Sequence, residues 1–240
     1  MSNKFKRVLL KLSGESLQGN SSFGYNGEAV EEIVKEIKKL HEIGTEIAIV
    51  VGGGNIMRGK TIAGHGVTPA TADYMGMLAT IMNALYLQDV LKDNGIENRV
   101  MTAIATNEVA EPFIRLKAVK HLSRGRVVIL AAGTGNPFST TDTAAALKAR
   151  ELECEVIIKA TKVDGIYNKD PNKHSDAFRY EHINYMKAIS DNLEVMDMTA
   201  FTMCKDSKIP IIVCDILGKD NLKNIALGAK IGTLVDENEI

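Results

Sequence analysis

Short apolar runs alternate with longer amphipathic stretches along the whole chain. "RVLLKLSG", from Arg7 to Gly14, predicts a buried strand ending in a glycine turn. Val30, Ile33, Val34, Ile37 and Leu40 recur at helical spacing within Gly27 to Ile43, and Gly44 stands at the C-terminal stop. "EIAIVV" predicts the next strand and runs into "GGGN". Thr68-Pro69 then opens a long helix to about Asn94-Gly95, with Pro69 suited to its first turn. A strand near "NRVMTAI", a helix around Phe113 to Leu122 and the strand "RVVILAA" follow. After the turn "GTGNPF" the pattern predicts a helix to about Glu151, the strand "EVIIKA", a helix near Met196 to Asp206 and the strand "IPIIVCD". A helix near Leu222 to Leu227 and the short strand "GTLV" close the series, with no repeat, low-complexity segment or long linker.

Strands alternating with helices predict an α/β fold: a mostly parallel sheet covered on both faces. Ligands of such sheets bind at the carboxyl ends of the strands. Those ends carry "KLSGES", "VVGGGN", "AAGTGN" and "KATKVDG".

Composition narrows the function classes. The 240 residues are 45% hydrophobic and 25% charged, enough apolar material for one large α/β domain or two small ones. A formal net charge of -1 gives no reason to expect nucleic acid or an anionic membrane as partner, although a small anion needs only local positive charge. Cys154, Cys204 and Cys214 are widely spaced and odd in number, so buried thiols in a reducing cytosol are expected. Five scattered histidines show no metal-ligand spacing. The basic N-terminus is not expected to act as a signal peptide, since Lys11 interrupts its apolar run, and no apolar stretch approaches the ~20 residues of a membrane span. The expected location is cytoplasmic.

The chemistry concentrates at the strand ends. Glycines after strands have a plain reading, since tight turns need φ > 0, but three such turns in one sheet point towards a shared ligand surface. In "GGGN", Gly52 to Asn55, three residues without Cβ let backbone approach a bulky anion closely. "GTGNPFSTTDTAAA", Gly133 to Ala146, reads as turn and helix start, where free N–H groups and the helix dipole favour an anion. It has no lysine, so it is not a G-x-x-x-x-G-K-[ST] loop, and Phe138 stands where G-x-G-x-x-G needs its third glycine. Cations must therefore come from other strand ends. Lys11 interrupts an apolar strand: it either lies on an edge strand and reaches solvent, or faces transferring phosphates. Lys159 in "VIIKATK" leaves the same two readings open. Asp142 and Asp73 are first-turn acids that serve a helix dipole or a site, and Arg58 after "GGGN" is a solvated loop residue or a ligand contact. Met75, Met77 and Met82 read as core or subunit contact, and "KVDGIYNKDP" holds ordinary turn signals.

"LLKLSGESLQG", "VVGGGNIMRG", "DYMGMLAT", "RVVILAAGTGNPFSTTDTAA", "KATKVDGIYNKDP", "EVMDMTAF" and the terminal "GTLV" occur in an order and spacing that resembles the bacterial uridylate kinases (UMP kinases) of the amino-acid kinase superfamily. The resemblance covers nearly the whole chain. It implies a three-layer αβα sandwich, a single domain over residues 1–240, whose N-terminal part carries mainly the acceptor UMP site and whose C-terminal part carries mainly the ATP site. The implied reaction moves the γ-phosphoryl group of ATP to UMP, giving UDP and ADP in pyrimidine nucleotide biosynthesis, with Mg²⁺ held mainly through phosphates. Residue by residue, Lys11, Leu12, Ser13, Gly14, Gly54, Arg58, Thr161, Tyr167 and Asp170 match the ATP site. Gly53, Asp73, Thr134, Gly135, Asn136, Pro137, Phe138, Ser139, Thr140 and Thr141 match the UMP site. Lys11, Arg58 and Asp142 match the catalytic set, in which Asp142 orients either Lys11 or Mg²⁺. Relatives from many bacteria are hexamers activated by GTP and inhibited by UTP, so the resemblance implies a homohexamer with these effectors. Gly19, Asn20, Ser21, Ser22, Phe23 and Gly24 match the GTP-response loop, and Arg99 and Arg126 align with GTP contacts. The chain departs at Pro69, where many relatives have an arginine, and at Gln88 and Lys92, where some have Arg and His. An amino-acid or carbamate kinase on the same fold would need a smaller acceptor site, and a non-catalytic nucleotide sensor would be expected to lose Lys11 or Asp142.

Overall fold

The computed structural model describes residues 3–57, 66–171, 173–191, 193 and 195–238. In chain order the elements are β1 (Arg7–Leu12), α1 (Gly14–Leu17), α2 (Gly27–Glu42), β2 (Glu46–Val51), α3 (Pro69–Asp93), β3 (Asn98–Thr102), β4 (Glu111–Pro112), α4 (Arg115–Leu122), β5 (Val127–Ala131) and α5 (Thr141–Glu151). Then come β6 (Val156–Thr161), β7 (His182–Asn184), α6 (Tyr185–Ser190), α7 (Met198–Ser207), β8 (Ile211–Asp215), α8 (Asn221–Ala226) and β9 (Thr233–Asp236). Helix starts follow side-chain capping: Asn26, Thr68, Thr140 and Asp197 each accept from a backbone N–H of the first turn, and Pro69 takes the first helical position of α3.

Among the described residues the strands form one nine-stranded sheet in the order β4-β3-β5-β2-β1-β6-β8-β9-β7. Every neighbouring pair is parallel except β8 and β9. β1 lies in the middle. Strands β2 to β5 build outwards on one side of it, and the chain then crosses to place β6 against its other flank. That reversal opens a crevice at the carboxyl ends of the central strands.

Side chains alternate between the two faces of each strand. Val8, Leu10 and Leu12 join Ile47, Ile49 and Val51 beneath α2, α3 and α8. Leu9, Ala48, Val50, Val128, Leu130 and Ile157 lie on the other face, beneath α4, α5 and α7. Burial on both faces explains the near-continuous apolar runs. The three-layer αβα expectation thus holds, and by alternation Lys11 and Lys159 share a face with Leu9 and Ile157, the face that α5 covers.

Differences from the sequence reading are local. α1, β4, β7 and α6 are too short to show a period. Glu111–Pro112 pairs with β3 as a strand, so the helix expected from Phe113 starts at Arg115. "GTLV" returns antiparallel to β8. The three cysteines are free and buried, as expected, and burial pushes each thiol up to about 12. Among the described residues no helix is long and apolar enough to cross a membrane.

Candidate active site

Lys11 and Lys159 are register partners on the adjacent central strands β1 and β6. An edge-strand reading is therefore excluded for both. Asp142, the second residue of α5, reaches down between them: Lys11 Nζ lies 2.8 Å from Oδ1 and Lys159 Nζ lies 3.2 Å from Oδ2. The side chains are only 12%, 16% and 16% exposed, for Lys11, Lys159 and Asp142 respectively. Lys159 Nζ also donates to the carbonyl of Val195. Burial alone would raise the Asp142 carboxyl, but the ammonium groups of Lys11 and Lys159 outweigh it and hold the group below the ordinary carboxylate range. Burial pushes the Lys159 ammonium down, with Asp142 opposing. Lys11, Lys159 and Asp142 by themselves carry one net positive charge, and the Asp197 carboxylate also acts on Lys159. Both Asp142 oxygens are engaged by ammonium groups.

The glycines of the loop after β2 have ordinary negative φ, so they are not there to permit a left-handed turn. They permit close packing. A Cβ on Gly14 would meet Asn55 Oδ1 at 2.5 Å, Gly52 O at 2.7 Å and Gly54 N at 2.7 Å. One on Gly53 would meet Gly76 O of α3 at 2.9 Å. Protein backbone fills the space beside the Gly53 Cα, and Gly14 N stands 3.2 Å from a Cβ on Gly52. Only Gly54 is spacious, with Glu15 Cγ at 3.7 Å. Buried Asn83 fixes this loop by donating to Gly52 O at 2.7 Å and to Asn55 Oδ1 at 2.7 Å. Left-handed backbone belongs instead to the loop after β5, at Ala132, Gly133, Gly135 and Phe138.

Two cavities lie near the charged cluster, and Lys159 lines the second of them. The first, about 280 Å³, lies between α3 and the loops after β2 and β5, and Thr141, the neighbour of Asp142, lines it. Of the residues expected around UMP, Gly53, Asp73, Thr134, Asn136, Ser139, Thr140 and Thr141 line this cavity. Gly135, Pro137 and Phe138 do not. Gly135 packs against Ala103, and the Phe138 ring is 78% exposed. The Phe138 backbone N–H donates to Asp73 Oδ2 at 2.7 Å, which ties the loop to α3. The second cavity, about 620 Å³, is lined by Lys159, Thr161, Tyr167, Asp170, Val195 and Val213 among others. It gathers three of the residues expected around ATP. Gly54, also expected around ATP, lines the first cavity instead. Leu12 is buried, Ser13 caps α1 and Gly14 braces the neighbouring loop. Arg58 lies outside the described residues.

The loop Gly19–Gly24 sits at this same edge. Gly24 N donates to Asn55 O at 2.9 Å, and Lys162 Nζ donates to Gly19 O at 3.1 Å. Arg99 and Arg126 stand at the amino ends of β3 and β5, beside Glu111 at 3.6 Å and Glu97 at 3.1 Å. Within one chain the loop and the arginines are therefore at opposite ends of the sheet. Among the described residues no group of three or more His, Cys, Asp or Glu is placed to hold a metal ion.

Sequence reasoning passed over Asp197, Thr143 and Val195. Asp197 falls inside the helix predicted near Met196 to Asp206, whereas the structure makes it the cap of α7, and its partners Thr140 and Thr143 lie far away in the chain.

The sequence profile of the amino acid kinase family matches residues 6–215. Among solved structures, a UMP kinase from Bacillus anthracis is 39% identical, with 98% of this chain and 97% of that chain covered and a TM-score of 0.95. A UMP kinase from Ureaplasma parvum is 33% identical, covering 97% and 99%, with a TM-score of 0.89. A uridylate kinase from Archaeoglobus fulgidus is 28% identical, covering 95% and 99%, with a TM-score of 0.71.

Proposed function

The chain belongs to the amino acid kinase family, and from that premise we propose that it transfers the γ-phosphoryl group of ATP to UMP, giving ADP and UDP for pyrimidine nucleotide biosynthesis. The observation that carries this reading is the Lys11–Asp142–Lys159 cluster between a smaller and a larger cavity. The smaller one takes UMP. Its phosphate meets the N-terminus of α5 and the hydroxyls of Ser139 and Thr141, while Asp73 accepts from the ribose hydroxyls. The larger one takes the adenosine of ATP against Thr161, Tyr167 and Asp170. The acceptor phosphate is already an anionic nucleophile, so no general base is needed; catalysis is positioning and charge neutralisation. Lys11 and Lys159, oriented by Asp142, offset the charge on the transferred group. Mg²⁺ bound with the nucleotide supplies further neutralisation of the phosphate oxygens, held mainly by phosphates and water.

A coupled assay of ADP release with UMP, CMP, AMP and carbamate as acceptors tests the reading. UMP should be strongly preferred, because a site that hydrogen-bonds its substrate leaves buried polar groups unpaired with the wrong one. Equal turnover of AMP and UMP would overturn it. We extend the proposal to a cytoplasmic homohexamer activated by GTP and inhibited by UTP. In support, α3 exposes Tyr74, Leu78 and Met82 along one helical stripe, which suits a subunit contact. Sedimentation of the purified protein and rates with added GTP or UTP test assembly and regulation separately.

A further inference from the structure

We propose that Asp197 is a positioning residue for phosphoryl transfer, gripping the acceptor side of the charged cluster while its own segment grips the donor side; the inference rests on the reaction proposed above. The Asp197 carboxylate accepts from Ala200 N at 3.0 Å and so caps α7. It also accepts from the Thr140 hydroxyl, and from the Thr143 hydroxyl at 3.0 Å through Oδ2. Thr140 is the cap of α5: its Oγ1 accepts from the Asp142 N–H at 3.1 Å and from the Thr143 N–H at 3.1 Å. A continuous relay therefore runs from the Asp197 carboxylate through the Thr140 hydroxyl to the backbone of Asp142. Two residues before Asp197, the Val195 carbonyl accepts from Lys159 Nζ, and Val195 lines the larger cavity. One short segment thus holds the lysine on one side and the helix bearing its counter-ion on the other.

The physical effect is orientation. A hydroxyl that donates to a carboxylate has its proton direction fixed, so its lone pairs face the N–H groups it caps, and bonds to a charged acceptor are the stronger kind. Without that anchor the Thr140 hydroxyl can rotate and the first turn of α5 can shift, carrying Thr141 and Asp142 with it. Small displacements of this kind matter where rate depends on placement of two bound reactants.

The test compares Asp197→Asn, Thr143→Val and Thr143→Ser with wild type in kcat, KM for each nucleotide and Tm. Asn caps a helix as well as Asp does, so Asp197→Asn keeps α7 capped while weakening the hold on the two threonines. The expected result is a kcat lowered about tenfold and a raised KM for UMP, with KM for ATP within about twofold and Tm nearly unchanged. Thr143→Val should show the same pattern more weakly, and Thr143→Ser, which keeps the hydroxyl, should restore wild-type kinetics. A lowered Tm with unchanged kcat would make Asp197 a staple between α5 and α7 and overturn the proposal. So would equal behaviour of Thr143→Val and Thr143→Ser, the pair that decides the matter if Asp197→Asn does not fold. A wild type without UMP-dependent ADP release would overturn the proposed reaction and this inference with it, whereas an active wild type with unaffected variants overturns the inference alone.

Discussion

Asp142 has two cations for one charge, and loss of different members of the cluster has different consequences. In Lys11→Ala the carboxylate keeps Lys159 at 3.2 Å, so no unpaired buried charge is left and the fold should survive. The transferred group loses a preorganised donor, a loss of about 3 kcal/mol or roughly a hundredfold in rate. Steady-state kinetics should show that fall in kcat with UMP binding and Tm nearly unchanged; normal turnover would leave Lys159 as the cation that matters. Asp142→Asn is the harsher change, because two neighbouring, largely buried ammonium groups then lose the carboxylate they share, with only Asp197 left to act on Lys159. Breaking such a pair costs about 3 kcal/mol or more. The pH dependence follows from the lowered Asp142 pKa. The folded pKa lies below the unfolded value of about 3.9, so the stabilisation is present above that pH and is lost as pH falls through the folded pKa. Denaturant melts should therefore show the largest gap between wild type and Asp142→Asn near neutral pH, closing in strong acid. Lys159 contributes with the opposite sign at neutral pH: its ammonium is pushed down by burial, a cost relieved as pH rises through its folded pKa.

At the scale of elements, the site depends on how closely loops can approach one another. The loop after β1, the loop after β2 and α3 touch through Gly14, Gly52 and Gly53. Gly14→Ala would drive a Cβ to 2.7 Å from Gly52 O and Gly54 N, and backbone cannot swing aside as a flexible side chain can. Overpacking of this kind costs about 1–3 kcal/mol. It should also lower activity, because β1 delivers Lys11 and α3 delivers Asp73. Gly27→Ala is the control: nothing lies within 4 Å of its Cβ and it begins α2 with ordinary φ, so its stability should stay within about 0.5 kcal/mol of wild type. Equal stability of the two variants by thermal melting would contradict the packing account.

At the scale of the whole molecule, strand order brings the two cavities to one edge of the sheet beside the charged cluster, and with the nucleotides placed as proposed direct transfer needs no relay. No histidine or cysteine lines either cavity among the described residues, and the Asp142 carboxylate is occupied by lysines. A direct, sequential transfer is expected. Double-reciprocal plots should intersect, and labelled ADP should not exchange into ATP unless UMP is present. Exchange without the acceptor would require a phosphorylated enzyme and would contradict this arrangement.

The local pattern determined a good deal by itself. The periods of strand and helix, the capping residues Asn26, Thr68 and Thr140, and Pro69 at the start of α3 are properties of neighbouring residues, so the longer elements and the two-faced sheet could be read directly. Lys11 and Lys159 stood out because a charge in an apolar run is a local anomaly, whereas Asp142, an ordinary first-turn acid, stood out only through the family resemblance. Their meeting was not local. Lys159 joins Lys11 only because β6 crosses to the far flank of β1, and Asp197 meets Thr140 only because α5 and α7 pack side by side on one face of the sheet. Sequence spacing carries no signal of either contact. Strand order and helix packing are decided by burying both faces of the sheet at once, so the tertiary structure alone decided which charges share a carboxylate and which loops share a cavity.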